Sequence, residues 1–234
     1  MSEKIVGLIA VRAGSKRITN KNTRPFADSS LLKIKIQQAI NSCQLDKVYV
    51  SSDSEEMLSI ASQLGAIPLL RSHELASDNV PMNVVYENLA CSIVEKHVCF
   101  LHVTSPILSN DSLAQCIEQY RSEIIDSKRY DSLASVHRVQ EYLWHNGVPI
   151  NYDPQNHPRS QDLPNYYALN FAVNILPRDL MTFKKNIVGD KFYPFFLSAE
   201  ESIDVDMPHD FQYAEWVYKN KNNDICQFNF NEET

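Results

Sequence analysis

Residues 4–11, KIVGLIAV, are a near-continuous apolar run of strand length, the pattern of a strand covered on both faces in a parallel sheet. From Leu32 the period changes: Ile36, Ala39, Ile40 and Cys43 recur at helical spacing and predict one buried helix face. Residues 46–51 then read as a second strand. Met57, Ile60, Ala61 and Leu64 form another helical stripe, and Gly65 is placed to end that helix in a left-handed conformation. The alternation continues with a short strand at 67–70, a helix near 82–95, a strand at 98–103, a helix near 112–121 and a strand at 132–136. Strands and helices alternating in this way predict an α/β protein with a parallel or mostly parallel sheet flanked by helices.

The alternation stops at 137–165. This segment is polar, carries Pro149, Pro154, Pro158 and Pro164, and is longer than the usual connections inside a compact domain, so it reads as a functional insertion or a subunit contact. A strand at 166–175 and a short one at 203–205 follow. Pro208 then opens a helix with Phe211, Ala214 and Tyr218 turned inward. Residues 1–221 are expected to form one domain and 222–234 a flexible tail.

With 234 residues, 44% of them hydrophobic, the chain can bury one sizeable core. Its net charge of −7 argues against a protein that holds nucleic acid by neutralising phosphates. No apolar run approaches the roughly 18 residues of a membrane span, and the short run behind Lys4 is a poor signal peptide, so a cytoplasmic location is expected. Cys43, Cys91, Cys99, Cys116 and Cys226 are scattered without CxxC spacing, which suggests buried thiols rather than disulfides or zinc.

Against that acidic background, residues 12–24, RAGSKRITNKNTR, carry Arg12, Lys16, Arg17, Lys21 and Arg24 and no acid. Because the segment follows the first strand, it belongs at the carboxyl end of the sheet, where open α/β folds place their ligand crevice. Gly14 and Ser15 allow backbone N–H groups to turn toward an anion, and the cations suit a triphosphate whose charge grows on departing pyrophosphate. Charge alone does not separate this from a solvated basic loop. Neither the Walker spacing nor the dinucleotide GxGxxG is present.

The stretch VGLIAVRAGSKRITNKNTRPF resembles the signature of the acylneuraminate cytidylyltransferase family, which makes CMP-activated sialic acid and its relatives. Arg12, Gly14, Ser15, Lys16, Lys21 and Asn22 stand at the matching places, whereas Ala13 and Arg17 replace glycines, and Arg17 is expected to point to solvent. The resemblance runs to about residue 218. Ser51, Ser52, Asp53, Glu55 and Glu56 match an STDSEE-type segment; helix capping is the preferred role for Asp53. Arg71, followed by His73, Glu74, Leu75, Ala76 and Asp78, matches a segment near the nucleotide. LHVTSP at 101–106 matches LQPTSP, with His102 in place of a glutamine that contacts ligand; imidazole can charge near neutrality, so the acceptor sugar can differ.

Within the insertion, PRSQDLPNYY at 158–167 and Asn170 resemble the family's R-Q-D-L-P segment and the strand behind it. Arg159 is the residue chosen to meet the acceptor's carboxylate with its planar fork. IDVD at 203–206 resembles the family's IDID; on a strand Asp204 and Asp206 face one side and can offer oxygens to magnesium, while capping of the helix at Pro208 is the plainer role for Asp206.

The resemblance therefore implies a Rossmann-like three-layer α/β/α nucleotidyltransferase fold with an insertion that makes a homodimer contact. It implies a magnesium-dependent enzyme transferring CMP from CTP to the anomeric hydroxyl of a sialic-acid-like 2-keto sugar acid. Arg12, Lys16 and Lys21 are the expected catalytic residues. Arg12, Ala13, Gly14, Ser15, Lys16, Lys21, Asn22, Arg71 and Asp78 are expected to bind nucleotide; His102, Thr104, Arg159, Gln161 and Asn170 the acceptor; Asp204 and Asp206 the metal. A Kdo-type or other anionic acceptor, or a non-catalytic nucleotide-binding paralogue, are the alternatives. No nucleic-acid or membrane partner is expected.

Overall fold

The computed structural model describes residues 3–77 and 79–221. Strand β1 (Ile5–Ala10) leads through helix α1 (Leu31–Asn41) to β2 (Lys47–Ser52), and α2 (Glu55–Gln63) leads to β3 (Ile67–Leu70). After these come α3 (Met82–Cys91), β4 (His97–Leu101), α4 (Asn110–Tyr120), β5 (Ser132–Val139), and the short pair β6 (Trp144–His145) and β7 (Val148–Pro149). The described residues close with β8 (Tyr166–Pro177), α5 (Arg178–Lys184), β9 (Phe192–Phe196) and α6 (Pro208–Asn220).

The main sheet has seven strands in the order β3-β2-β1-β4-β8-β5-β9. Only β8 runs against its neighbours β4 and β5; the other pairings are parallel. One buried cluster joins the sheet to α1, α2, α4 and α6 through residues such as Leu32, Met57, Leu113 and Phe211. A second joins the opposite face to α3 and α5 through Val85, Leu89 and Met181. Those two faces make three layers, and the central strands β1 and β4 are buried along their length as their apolar runs predict.

The order reverses at β1. The chain steps outward on one side to β2 and β3, then returns to place β4 on the other side. That reversal opens a crevice between the carboxyl ends of β1 and β4, the place where such sheets bind ligands.

Gly65 has φ +85° and ends α2 as predicted. Several expectations need correction. Ile40 and Cys43 do not belong to the buried face of α1: Ile40 is 38% exposed, and Cys43 is exposed past the helix end at φ +54°. The position the stripe passed over, Lys35, is buried on that face. Cys91 is likewise exposed at the end of α3; Cys99 and Cys116 are buried, and Cys226 lies outside the described residues. No strand forms at 203–205, where the chain is irregular and the Val205 N–H donates to the Thr104 carbonyl at 2.8 Å.

The strand the pattern did not reveal is β9, FYPFF, whose central Pro194 has no N–H to donate to a ladder. It is tolerated because β9 is the sheet edge, paired in parallel with β5 alone. Strand β5 runs to Val139, into the predicted insertion, and pairs Val139 with Tyr166. Next comes the β6–β7 hairpin, pinned by Asn151, which is 5% exposed, accepts from Leu143 N–H and donates to the Glu141 carbonyl; the segment beyond it is irregular apart from a turn of 3-10 helix at Ser160–Asp162. The proposed tail, 222–234, lies outside the described residues, and no described helix is long and apolar enough to cross a membrane.

Candidate active site

The basic loop is built to hold a shape. Ile18, 3% exposed, anchors its middle in the core. Asn22 closes its base: Nδ2 donates to the Arg12 carbonyl at 3.1 Å, and the Asn22 carbonyl accepts from the Leu32 N–H at the start of α1. Gly14 takes φ +72°, a conformation glycine adopts without strain. Ala13 and Arg17 are not among the described positive-φ residues, so their replacement of glycine leaves the backbone path open.

Asp53 corrects the sequence reading. The cap of α2 is Ser54, whose side chain accepts from Met57 N–H. Asp53 instead accepts from the Ala13 N–H at 2.9 Å through Oδ1 and lies 3.3 Å from His73 through Oδ2. Burial pushes the Asp53 carboxyl up, but the hydrogen bonds and Arg71 outweigh it and hold its pKa below the usual value. Arg71 is 7% exposed, donates to the Val11 carbonyl at 2.7 Å, and so sits beneath the start of the loop.

A cleft of about 370 Å³ opens over the ends of β1 and β4. The loop supplies Arg12, Ser15, Lys16, Arg17, Lys21 and Asn22 to its wall, Arg71 closes one side, and His102, Thr104 and Asp206 lie on the other. Arg12 also donates to the Ala76 carbonyl at 3.1 Å. Lys21 donates to the Val205 carbonyl at 2.8 Å and lies 3.6 Å from Asp206. Arg17, expected to face solvent, bonds Asp206 at 3.0 Å while remaining exposed.

The aspartate pair is placed by loop contacts rather than by a strand. Thr104 holds the segment twice, through its side chain on Asp204 and through its carbonyl on Val205. Asp204 is exposed as a residue, yet protein packed around its carboxyl raises its pKa, with Asp206 adding to the rise. The helix-capping role belongs to Asp210, which accepts from Met207 N–H at 2.7 Å and Asp206 N–H at 3.1 Å. Among the described residues no group of three or more His, Cys, Asp or Glu side chains is arranged to hold a metal. Two neighbouring carboxylates beside a cationic loop nevertheless fit magnesium, which keeps several waters and takes one or two carboxylates plus substrate phosphates.

His102 does not behave as a near-neutral switch. Its ring lies against Phe100 and Phe171 at 5.0 and 6.1 Å, and its Nε2 is sealed from water with no partner among the described residues. Burial, helped by Lys35 and Lys21, lowers its pKa to about 4. It is a neutral imidazole at physiological pH.

Three predicted acceptor residues lie elsewhere. Arg159 and Gln161 are exposed on the insertion and do not line this cleft. Asn170, 7% exposed, binds Ser135 through Oδ1 and donates to Ser202 at 3.0 Å, knitting β8 to its neighbours. Asp78 lies outside the described residues. Sequence reasoning missed the bracing role of Asp53 and the pairing of Arg17, because both partners are remote in sequence. It also missed Lys35, a polar residue at a core position of α1.

Comparison with known proteins bears on this geometry. A pseudaminic acid cytidylyltransferase of Campylobacter jejuni is 30% identical over 224 residues, covering 91% of this chain and 95% of that protein. An N-acylneuraminate cytidylyltransferase of Oncorhynchus mykiss is 29% identical over 220 residues, 90% of this chain, but the chain spans only 49% of that relative's length. Among solved structures, a CMP:2-keto-3-deoxy-manno-octonic acid synthetase complexed with CTP superposes with a TM-score of 0.69 at 12% identity, over 94% of this chain and 100% of that one, which is a likeness of fold. The family model described as cytidylyltransferase matches residues 6–227. The match spans both the basic loop and the Asp204–Asp206 segment, and the chain belongs to the cytidylyltransferase family of nucleotidyltransferases.

Proposed function

We propose that this protein transfers CMP from CTP to the anomeric hydroxyl of a sialic-acid-like 2-keto sugar acid and releases pyrophosphate. The observation that carries the reading is the convergence of Arg12, Lys16 and Lys21 with Thr104 and Asp206 on one cleft at the switch point of the sheet. In this reading the cations bind the triphosphate and stabilise charge as the bond between the α-phosphorus and its bridging oxygen breaks. Arg71 and Asp53 hold the loop so that little reorganisation is needed at the moment of transfer. Asp204 and Asp206 would hold magnesium, which when bound supplies further charge neutralisation. No covalent nucleophile is required.

Arg159 and Gln161 enter this reading through assembly. They are exposed at the turn Ser160–Asp162 of the same inserted segment that carries exposed Trp144, Val148 and Ile150. That placement supports a homodimer in which each insertion offers Arg159 to the acid bound at the other copy's cleft. We place the reaction in the cytoplasm, where CTP is made.

Pyrophosphate release is to be measured with magnesium and CTP against N-acetylneuraminic, legionaminic, pseudaminic and Kdo-type acids, with ATP, GTP and UTP as controls. Release that needs both CTP and one acid is expected. Release with a different nucleotide, or no CTP binding, overturns the reading.

A further inference from the structure

Lysine is seldom fully buried without a charged partner, because taking its ammonium out of water is expensive. Lys35 of α1 is 0% exposed. Its Nζ donates to the Ser105 carbonyl at 2.8 Å, and among the described residues no carboxylate pairs with it. The titratable groups around it are the Cys99 thiol on β4, with Cys116 of α4 behind it, and His102 at the end of β4, which also feels Lys21. Burial lowers the Lys35 pKa to about 7. An apolar residue at this place would avoid that penalty, so the amine demands a role.

The role is visible in the turn that follows β4. Four successive carbonyls of this turn accept from side chains: Ser105 from Lys35, Pro106 and Leu108 from Gln38, and Ile107 from Lys221. The turn is thus gripped from below by α1 and from the side by the end of α6. Its upper surface is Thr104, which holds Asp204 and Val205, and Val205 in turn accepts from Lys21. An unbroken path of contacts runs from Lys35 through Ser105, Thr104 and Val205 to Lys21.

We infer that Lys35 is a positioning residue for nucleotidyl transfer: from the core it fixes the Ser105 carbonyl, and through Thr104 it sets the Asp204–Asp206 segment against Lys21. This rests on the proposed CMP transfer, because it assigns Lys35 to the same cleft. A charged donor holds a carbonyl more firmly than a neutral one, so the hold weakens as Lys35 loses its proton. His102 titrates far lower, and burial pushes both thiols upward, so Lys35 is the group among these that changes charge near neutrality.

Lys35→Met keeps the volume and removes the donor. Full-length wild type and variant are to be compared by hydrogen exchange at the Val205 amide and by CTP- and acid-dependent pyrophosphate release from pH 6 to 9. The expected result is faster Val205 exchange in a variant that melts no lower than wild type, with kcat down about 10- to 100-fold, the loss typical of misplacing a catalytic group by about an ångström. KM for CTP should stay within about threefold, and the wild-type-to-variant ratio of kcat should fall as pH rises through about 7. If Lys35→Met does not fold, Lys35→Gln, with a neutral donor one bond shorter, must show the same split between kcat and KM.

Unchanged Val205 exchange, or a kcat ratio flat with pH, overturns the inference. Absence of turnover in wild type with every acid would instead count against the proposed function. The exchange comparison then judges Lys35 on its own.

Discussion

At the nucleotide end of the cleft, functional side chains are tied to backbone: Arg12 to Ala76, Arg71 to Val11, Lys21 to Val205, and Asp53 to the loop itself at Ala13. Of the residues proposed for the acceptor, Arg159 and Gln161 stand exposed away from the cleft at the turn Ser160–Asp162, beyond the β6–β7 hairpin, and His102 offers a sealed, neutral ring flanked by Phe100 and Phe171. Under the proposed function, the difference teaches that one chain preorganises a triphosphate site but leaves the carboxylate contact to assembly. A triphosphate needs many donors in fixed places, and a short loop braced from four sides supplies them. An acid group needs one planar fork, which an exposed arm can carry.

The largest expected effect probes the core beneath the nucleotide end. The Lys35 pKa falls from 10.5 unfolded to about 7 folded, so between those values the unfolded chain binds more protons and stability rises with pH. The destabilisation is full below about 7 and vanishes above about 10.5, at most about 5 kcal/mol. Urea unfolding at pH 7, 8.5 and 10 should show that slope in wild type and its loss in Lys35→Met; parallel slopes would mean the amine is hydrated.

Next is Lys21→Ala. It should lower turnover by roughly 30- to 1000-fold, or about 2 to 4 kcal/mol of barrier. Near-normal pyrophosphate release would remove the loop from catalysis.

The comparison sharpens at Arg159→Ala. Losing a charge-assisted contact of about 1.5 to 3 kcal/mol should raise KM for the acid roughly 10- to 100-fold and leave KM for CTP unchanged. Mixing this variant with Lys21→Ala should restore part of the activity, since a mixed dimer contains one cleft with both residues intact. No recovery from subunits shown to exchange would return Arg159 to its own chain's cleft.

The smallest effect is expected at Asp53→Asn. Its removal of the carboxylate that accepts from Ala13 should weaken CTP binding by roughly 3- to 10-fold, about 1 kcal/mol, with little change in kcat. Calorimetric titration with CTP measures it, and a kcat loss larger than the affinity loss would place Asp53 nearer the chemistry.

Much of this molecule was legible in the order of residues. The continuous apolar runs of β1 and β4 predict buried parallel strands, Gly65 predicts the end of α2, and the acid-free run from Arg12 to Arg24 stands out in an acidic chain because charge density is a local property. The cytidylyltransferase family was legible for the same reason, since its motifs are short and contiguous. What lay beyond reach is whatever depends on contact between distant segments. Pro194 hides β9 until the sheet makes it an edge, and IDVD resembles a strand until Thr104 takes hold of it. Asp53 is a plausible cap until the loop 40 positions earlier presents the Ala13 N–H. Lys35 breaks an apolar stripe for no visible reason until α1 lies beneath the Ser105 carbonyl. Periodicity and composition record which residues must leave water; only the packed chain decides which partner each polar group meets there, because that choice is made by distances no local pattern encodes.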